Sequence, residues 1–177
     1  MAQPTGVIAQ IFGILAFVAS VSSFQFRTYR RMMTVQTICA GLFLIHFYLL
    51  ARSGQQDAMT GAALNGVCMI RNVLLILTEK TRTRKMTLIL AVTFSVIVVI
   101  IGIRTWHSWA SLLFIAAMVL NTAAFSIPDP DKVRTVILFA APLACAYDAL
   151  TGSVGGTVNE AVSFFSALIA LRRGKKG

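Results

Sequence analysis

The sequence predicts an all-α polytopic membrane protein, with seven transmembrane helices forming two parallel three-helix bundles joined by a linker helix. Three observations carry that expectation. Hydrophobic residues make up 57% of the 177 and charged residues only 12%, more apolar side chain than a small soluble domain can cover with polar surface. Seven runs approach the roughly 20 residues of helix that cross a bilayer. The cations between those runs alternate steeply from one connection to the next.

The runs cover 6–24, 32–50, 60–78, 86–103, 109–126, 135–151 and 155–171. The first runs out of the start MAQPTGVIAQ, which has no Lys or Arg and so lacks the basic region of a cleaved signal peptide; it is kept as a helix. The second carries Gly41 and His46. The third holds LNGVCMIRN (64–72), whose two asparagines and arginine stand out among apolar neighbours. The fourth has no charged residue and no counterpart in the repeat described below, which makes it the linker. Trp106 and Trp109 flank the entry to the fifth, where interfacial aromatics belong. The sixth and seventh are shorter and hold Asp148 and Glu160, which leaves six spans as the alternative count. The connections are too short for a soluble domain. The plan is therefore 1–85 for the first bundle, 86–108 for the linker helix and 109–177 for the second bundle with its basic tail.

Of the 16 Lys and Arg, one side of the membrane receives Arg27, Arg30, Arg31, Lys80, Arg82, Arg84, Lys85, Lys132, Arg134, Arg172, Arg173, Lys175 and Lys176, and the other only Arg52 and Arg104. That is the positive-inside bias, with the N-terminus outside and the C-terminus in the cytoplasm. The formal charge of +10 thus records topology and attraction to the anionic bilayer surface rather than nucleic-acid binding. Cys39, Cys68 and Cys145 lie within runs without a CxxC spacing, so packing is expected rather than a disulfide or metal site. No HExxH, GxSxG or Gly-rich phosphate loop is present, and no enzyme activity or cofactor is expected.

An internal repeat underlies the two bundles. Sliding the chain by 101 residues pairs 20–50 with 121–151 and gives six identities in 31, Ala40/Ala141 among them. Shortening the second copy's outer loop by seven residues makes the offset 94, which sets Asn65 on Asn159 and Asn72 on Ser166. Positions seven apart share a helix face, so Asn65 and Asn72 form one polar stripe, and Asn159, Ser163 and Ser166 form its partner. Amides in hydrocarbon cost several kcal/mol unless satisfied. Both stripes must face protein or water, either as a solute site at the pseudo-two-fold axis or as glue between helices.

The pattern QIFGILAFVASVSSFQFRTYRR, then IHFYLL, then GAALNGVCMIRN resembles the bacterial inner-membrane proteins of the YgjV type, mainly over residues 10–75. The 3+1+3 arrangement is more distantly similar to the SWEET, or PQ-loop, superfamily. That resemblance implies a transporter of a small polar solute such as a sugar, worked by alternating access between two triple-helix bundles. It places an asparagine from each bundle at the site, here Asn65 and Asn159. Of the family's helix-kinking prolines only Pro142 fits, with Gly41 at the matching place, and Phe24-Gln25 stands where the family has Pro-Gln. Pro142 and Gly41 are hinge candidates, with simple helix packing as the other reading. The alternatives are a membrane receptor or scaffold that binds without transport, and a vitamin or nucleoside-type transporter. Two complete bundles make one chain sufficient for a pathway, and a homo-oligomer remains open.

Arg71 is the sharpest oddity. It lies too deep for easy snorkelling, and a cation there costs at least about 2.5–3.5 kcal/mol. It needs a counter-charge, carbonyls or a wet cavity. Most acids fall in connections or near a helix end, which leaves Glu160 as the candidate partner, either in a gate, in solute binding or in a static bridge. His46 and Tyr147 align in the repeat and are candidates for ligand contact near the outer side, with interhelical packing as the plainer role for the histidine. Gln10, Ser20 and Asn121 are weaker pore-lining candidates.

Overall fold

The computed structural model describes residues 4–23, 26, 28–127 and 129–174. Phe24, Gln25, Arg27, Lys175 and Lys176, which enter the motif and charge readings above, lie outside the described residues. Seven helices follow one another: α1 (Pro4–Ser23), α2 (Tyr29–Arg52), α3 (Ala58–Leu77), α4 (Arg84–Arg104), α5 (Trp109–Ser126), α6 (Pro130–Leu150) and α7 (Val154–Gly174). Each is long and apolar enough to span a membrane. The count of seven holds, and the short sixth and seventh runs are complete helices.

Helix ends differ from the apolar runs where capping chemistry extends them. α6 begins five residues before the expected start because Asp129 accepts from the Asp131 and Lys132 N–H groups, satisfying donors that a first turn leaves orphaned. Thr83 caps α4 by accepting from Met86 N–H, and Ser108 caps α5 by accepting from Ala110 N–H. The α2–α3 and α6–α7 turns each use a glycine in the left-handed region, Gly54 at φ 108° and Gly152 at φ 70°, where a side chain would be strained.

Six helices close a ring. α1 packs on α2 and α7, α2 on α3, α3 on α5, α5 on α6, and α6 on α7. α4 stands outside, against α5 and α3. Its buried residues are few (Phe94, Val98, Gly102), and Leu88, Ile89, Val92 and Val96 are exposed, as lipid-facing side chains are. The α1–α7 seam is drawn tight by glycines: a Cβ on Gly155 would lie 2.6 Å from the carbonyl carbon of Gly13, so the backbones touch.

The two ends of the ring differ in charge. The basic end carries Arg30, Arg31, Lys80, Arg84, Lys85, Lys132 and Arg172, all exposed, while the opposite end has Arg52 and Arg104 together with Trp106 and Trp109. One apolar cluster, built on Phe43, Phe47, Phe114 and Tyr147, fills the opposite half. A second, built on Met33, Leu75, Phe125, Val133 and Ile137, fills the basic end. Between them lies a polar gap.

Candidate functional site

That gap is a cavity of about 80 Å³ on the ring axis, and every ring helix lines it. α1 gives Ser20; α2 gives Gln36, Cys39, Ala40 and Phe43; α3 gives Asn65, Cys68, Arg71 and Asn72. α5 gives Met118, Asn121 and Phe125; α6 gives Ile137 and Ala141; α7 gives Asn159, Glu160 and Ser163.

Arg71 anchors one wall and is 2% exposed. Its Nε and Nη2 both donate to Asn72 Oδ1, at 3.1 and 2.8 Å, and Nη1 donates to Thr122 Oγ1 at 2.7 Å. The guanidinium also lies 5.4 Å from the centre of the Phe125 ring, within cation–π range. The pairing with Glu160 raised by the sequence does not form. Among the described residues the ion pairs are Lys132–Asp129 and Arg134–Asp131, at the basic end. The physical reason is local: the neighbouring amide folds over the guanidinium and α5 adds a hydroxyl. Neutral acceptors satisfy donors without desolvating a second charge.

α7 forms the other wall. Asn159 Nδ2 donates to Glu160 Oε1 at 2.9 Å. Asn159 Oδ1, Ser163 Oγ and Asn121 Oδ1 are buried without a protein partner among the described residues, and all three residues line the cavity. Buried polar atoms are rarely left so. On α3, Asn65 Nδ2 donates to Gly61 O of its own helix at 2.9 Å.

Different groups pack toward each end of the cavity. Toward the opposite end, Phe114 and Tyr147 stack at 4.3 Å, with Phe47 6.0 Å from both rings. Tyr147 Oη accepts from Gly61 N–H at 2.9 Å and donates to Asp57 O at 2.8 Å. The hydroxyl thus sits between a donor and an acceptor that an uninterrupted first turn of α3 would join directly. Gly61 is required there, since a Cβ would lie 2.8 Å from the Phe47 ring. Toward the basic end, Tyr29 Oη donates to Phe125 O at 2.8 Å, and Arg82 covers the Tyr29 ring at 5.3 Å.

Of the residues singled out by sequence, Asn65, Arg71, Asn72, Asn159, Glu160, Ser163, Ser20 and Asn121 come together in the cavity. His46, Tyr147, Ser166 and Gln10 are not among its lining residues. His46 is fully buried, with Nδ1 2.6 Å from Ala9 O and Nε2 2.7 Å from Ser153 Oγ. A carbonyl can only accept, so Nδ1 carries the proton, and in the neutral ring Nε2 accepts from Ser153. Both nitrogens are spent on joining α1, α2 and the α6–α7 turn. Tyr147 is likewise consumed by its two bonds. Ser166 is half-buried beyond the cavity's edge, beside Ala167 of the basic-end cluster, and Gln10 donates to Gly152 O at 3.1 Å. Pro142 lies within an unbroken α6, and a Cβ on Gly41 would make an ordinary 3.5 Å contact with Met69 Sδ.

Sequence reasoning missed Gln36, Cys39 and Thr122. The signal available was the seven-residue spacing of Gln36 and Phe43 on one face of α2. Asp148 was set aside as lying near a helix end. It is buried, and a Cβ on Gly156 would lie 2.6 Å from its Cγ, which places the carboxyl against the first turn of α7, where a helix favours an acid.

Seven apolar helices, six of them around a polar cavity, define a polytopic α-helical membrane protein. The family model for YgjV-type proteins, described as bacterial inner membrane protein, matches residues 7–176, and the chain belongs to that family. It is similar to the inner membrane protein YgjV of Escherichia coli (strain K12), with 26% identity over 153 residues that cover 86% of this chain and 76% of that protein. No solved structure gave a significant match. The protein is thus a bacterial inner-membrane protein.

Proposed function

We propose that this protein carries a small polar solute across the inner membrane by alternating access between α1–α3 and α5–α7, with α4 as the link. The observation that carries the reading is the axial cavity, lined by all six ring helices and holding buried polar atoms without protein partners. A seam that only holds helices together would satisfy such atoms from within.

Three features support two equivalent bundles. Exchanging α1, α2 and α3 for α5, α6 and α7 maps the ring's contacts onto themselves, the α1–α7 seam onto α3–α5. Asn65 and Asn159 share the cavity, and so do Ala40 and Ala141. Gly41 and Pro142 each follow one of those alanines, so a bend at either acts directly on the cavity wall. The charge bias supports a cytoplasmic basic end. One chain supplies the whole ring, which makes a monomer sufficient.

Uptake into proteoliposomes, screened over sugars, nucleosides and amino acids, tests the reading. Saturable flux of at least one solute is expected, reduced more than tenfold by Asn159→Leu. Saturable binding with no flux of any solute overturns the carrier and favours a receptor.

A further inference from the structure

We infer that the cavity accepts a compact zwitterion of the small α-amino-acid class, its carboxylate on Arg71 and its ammonium group on Glu160 and the α7 acceptors beside it. The inference rests on the carrier reading's view of the cavity as a solute site, and names what that site takes.

The charges state the first requirement. A guanidinium has five N–H donors. Arg71 spends Nε–H and one hydrogen on each Nη on Asn72 and Thr122. One N–H on each Nη is left without a partner among the described residues, in a side chain that lines the cavity. Across the cavity, Glu160 Oε1 is bonded to Asn159, and Oε2 has no hydrogen bond among the described residues. A cation and an acid therefore face one small space without pairing. A neutral sugar leaves both uncompensated in a site where isolated charge is costly. A plain carboxylate answers Arg71 alone, and a plain amine answers Glu160 alone.

The remaining polar atoms state the second. An ammonium group has three donors and no acceptor. Within one turn of Glu160 on α7, Asn159 Oδ1 and Ser163 Oγ are both unpartnered and belong to residues only 4% exposed. One turn of α7 therefore supplies three acceptors. On the opposite wall the free donors all belong to a guanidinium, the group best matched to a carboxylate. The space is small, about 80 Å³, which favours the smaller members of the class over those with long side chains.

The test is equilibrium binding of radiolabelled L-alanine to the purified full-length protein in nanodiscs, with competition by serine, propionate, ethylamine and glucose. Saturable binding is expected, displaced by serine at least tenfold more effectively than by propionate or ethylamine and not by glucose. Arg71→Gln and Glu160→Gln should each weaken alanine at least tenfold. A misfolded variant would do the same, so the deciding readout is selectivity: in Glu160→Gln, propionate should compete as well as alanine. The inference is overturned if glucose or propionate matches alanine in the unaltered protein, or if Glu160→Gln keeps the original preference. Alanine bound but never moved would overturn the carrier and leave this assignment standing. Glucose moved with no alanine bound would do the reverse.

Discussion

The two ends of the axial cavity are packed by different means. At the opposite end the closure combines backbone and ring: Gly155 lies against Gly13 with no space for a Cβ, and Tyr147, fully buried, spends its hydroxyl on both a donor and an acceptor of α3. At the basic end side chains alone do the work, with Tyr29 giving one hydrogen bond to Phe125 O over an apolar cluster of Met, Leu, Val and Ile. Apolar side chains can change rotamer and part again without orphaning a polar group, whereas separating Tyr147 from α3 leaves an N–H and a carbonyl to be satisfied. On the carrier reading proposed above, the basic end is therefore the one expected to open more readily.

The largest expected effect strikes the rigid seam. Gly155→Leu places a side chain into the Gly13 backbone, where no rotamer avoids the clash, and should cost about 3 kcal/mol or more. A lowered midpoint of thermal unfolding in detergent, with loss of the monodisperse peak in size exclusion, is the expected result. Gly6→Leu is the control, since nothing lies within 4 Å of a Cβ there. Equal stability of the two variants would mean that the seam is not what fixes that end.

A step smaller is Tyr147→Phe. The ring stays in its stack while the hydroxyl is lost. Gly61 N–H and Asp57 O then either close a direct helical bond or stand unsatisfied, a loss of about 1–3 kcal/mol from that closure. Cys68 lines the cavity and is a ready reporter once Cys39 and Cys145 are replaced by serine. Its labelling by a membrane-impermeant maleimide from the opposite end should rise about tenfold or more. Unchanged labelling from that side would show that the aromatic stack, not the hydroxyl, holds the closure.

The difference between the ends also marks what the sequence made legible. Seven spans and the cavity's polar members were readable because an amide or a cation inside an apolar run is costly enough to need a reason, which held for Asn65, Arg71, Asn72, Asn159, Glu160 and Ser163. The partner of Arg71 was not, because Thr122 is a common residue in a membrane helix and nothing along the chain ties it to a residue on α3. His46 and Tyr147 fall outside the cavity's lining for a related reason. Repeat alignment gives equal depth but not equal orientation, and each side chain finds a partner from a connection or helix end: Ser153 for the histidine, Asp57 for the tyrosine. Ser166 shared its stripe with Asn159, yet α7 leaves the cavity after Ser163, where Ala167 enters the basic-end cluster.

The smallest effect, and the sharpest test of the comparison, comes from Tyr29→Phe. Its hydroxyl makes one bond to a carbonyl, with Arg82 Nη1 at 3.4 Å as a weak second contact. The carbonyl of Phe125, near the end of α5, can turn to water when the tyrosine no longer reaches it, so the change is about 0.5–1.5 kcal/mol. Maleimide labelling of Cys68 from the basic end should rise by about two- to tenfold, from a starting rate already above that measured from the opposite end. The comparison then predicts an order. The unaltered protein labels faster from the basic end, Tyr29→Phe widens that difference, and Tyr147→Phe narrows it. Faster labelling of the unaltered protein from the opposite end, or a larger response to Tyr29→Phe than to Tyr147→Phe, would reverse the assignment of which closure yields first.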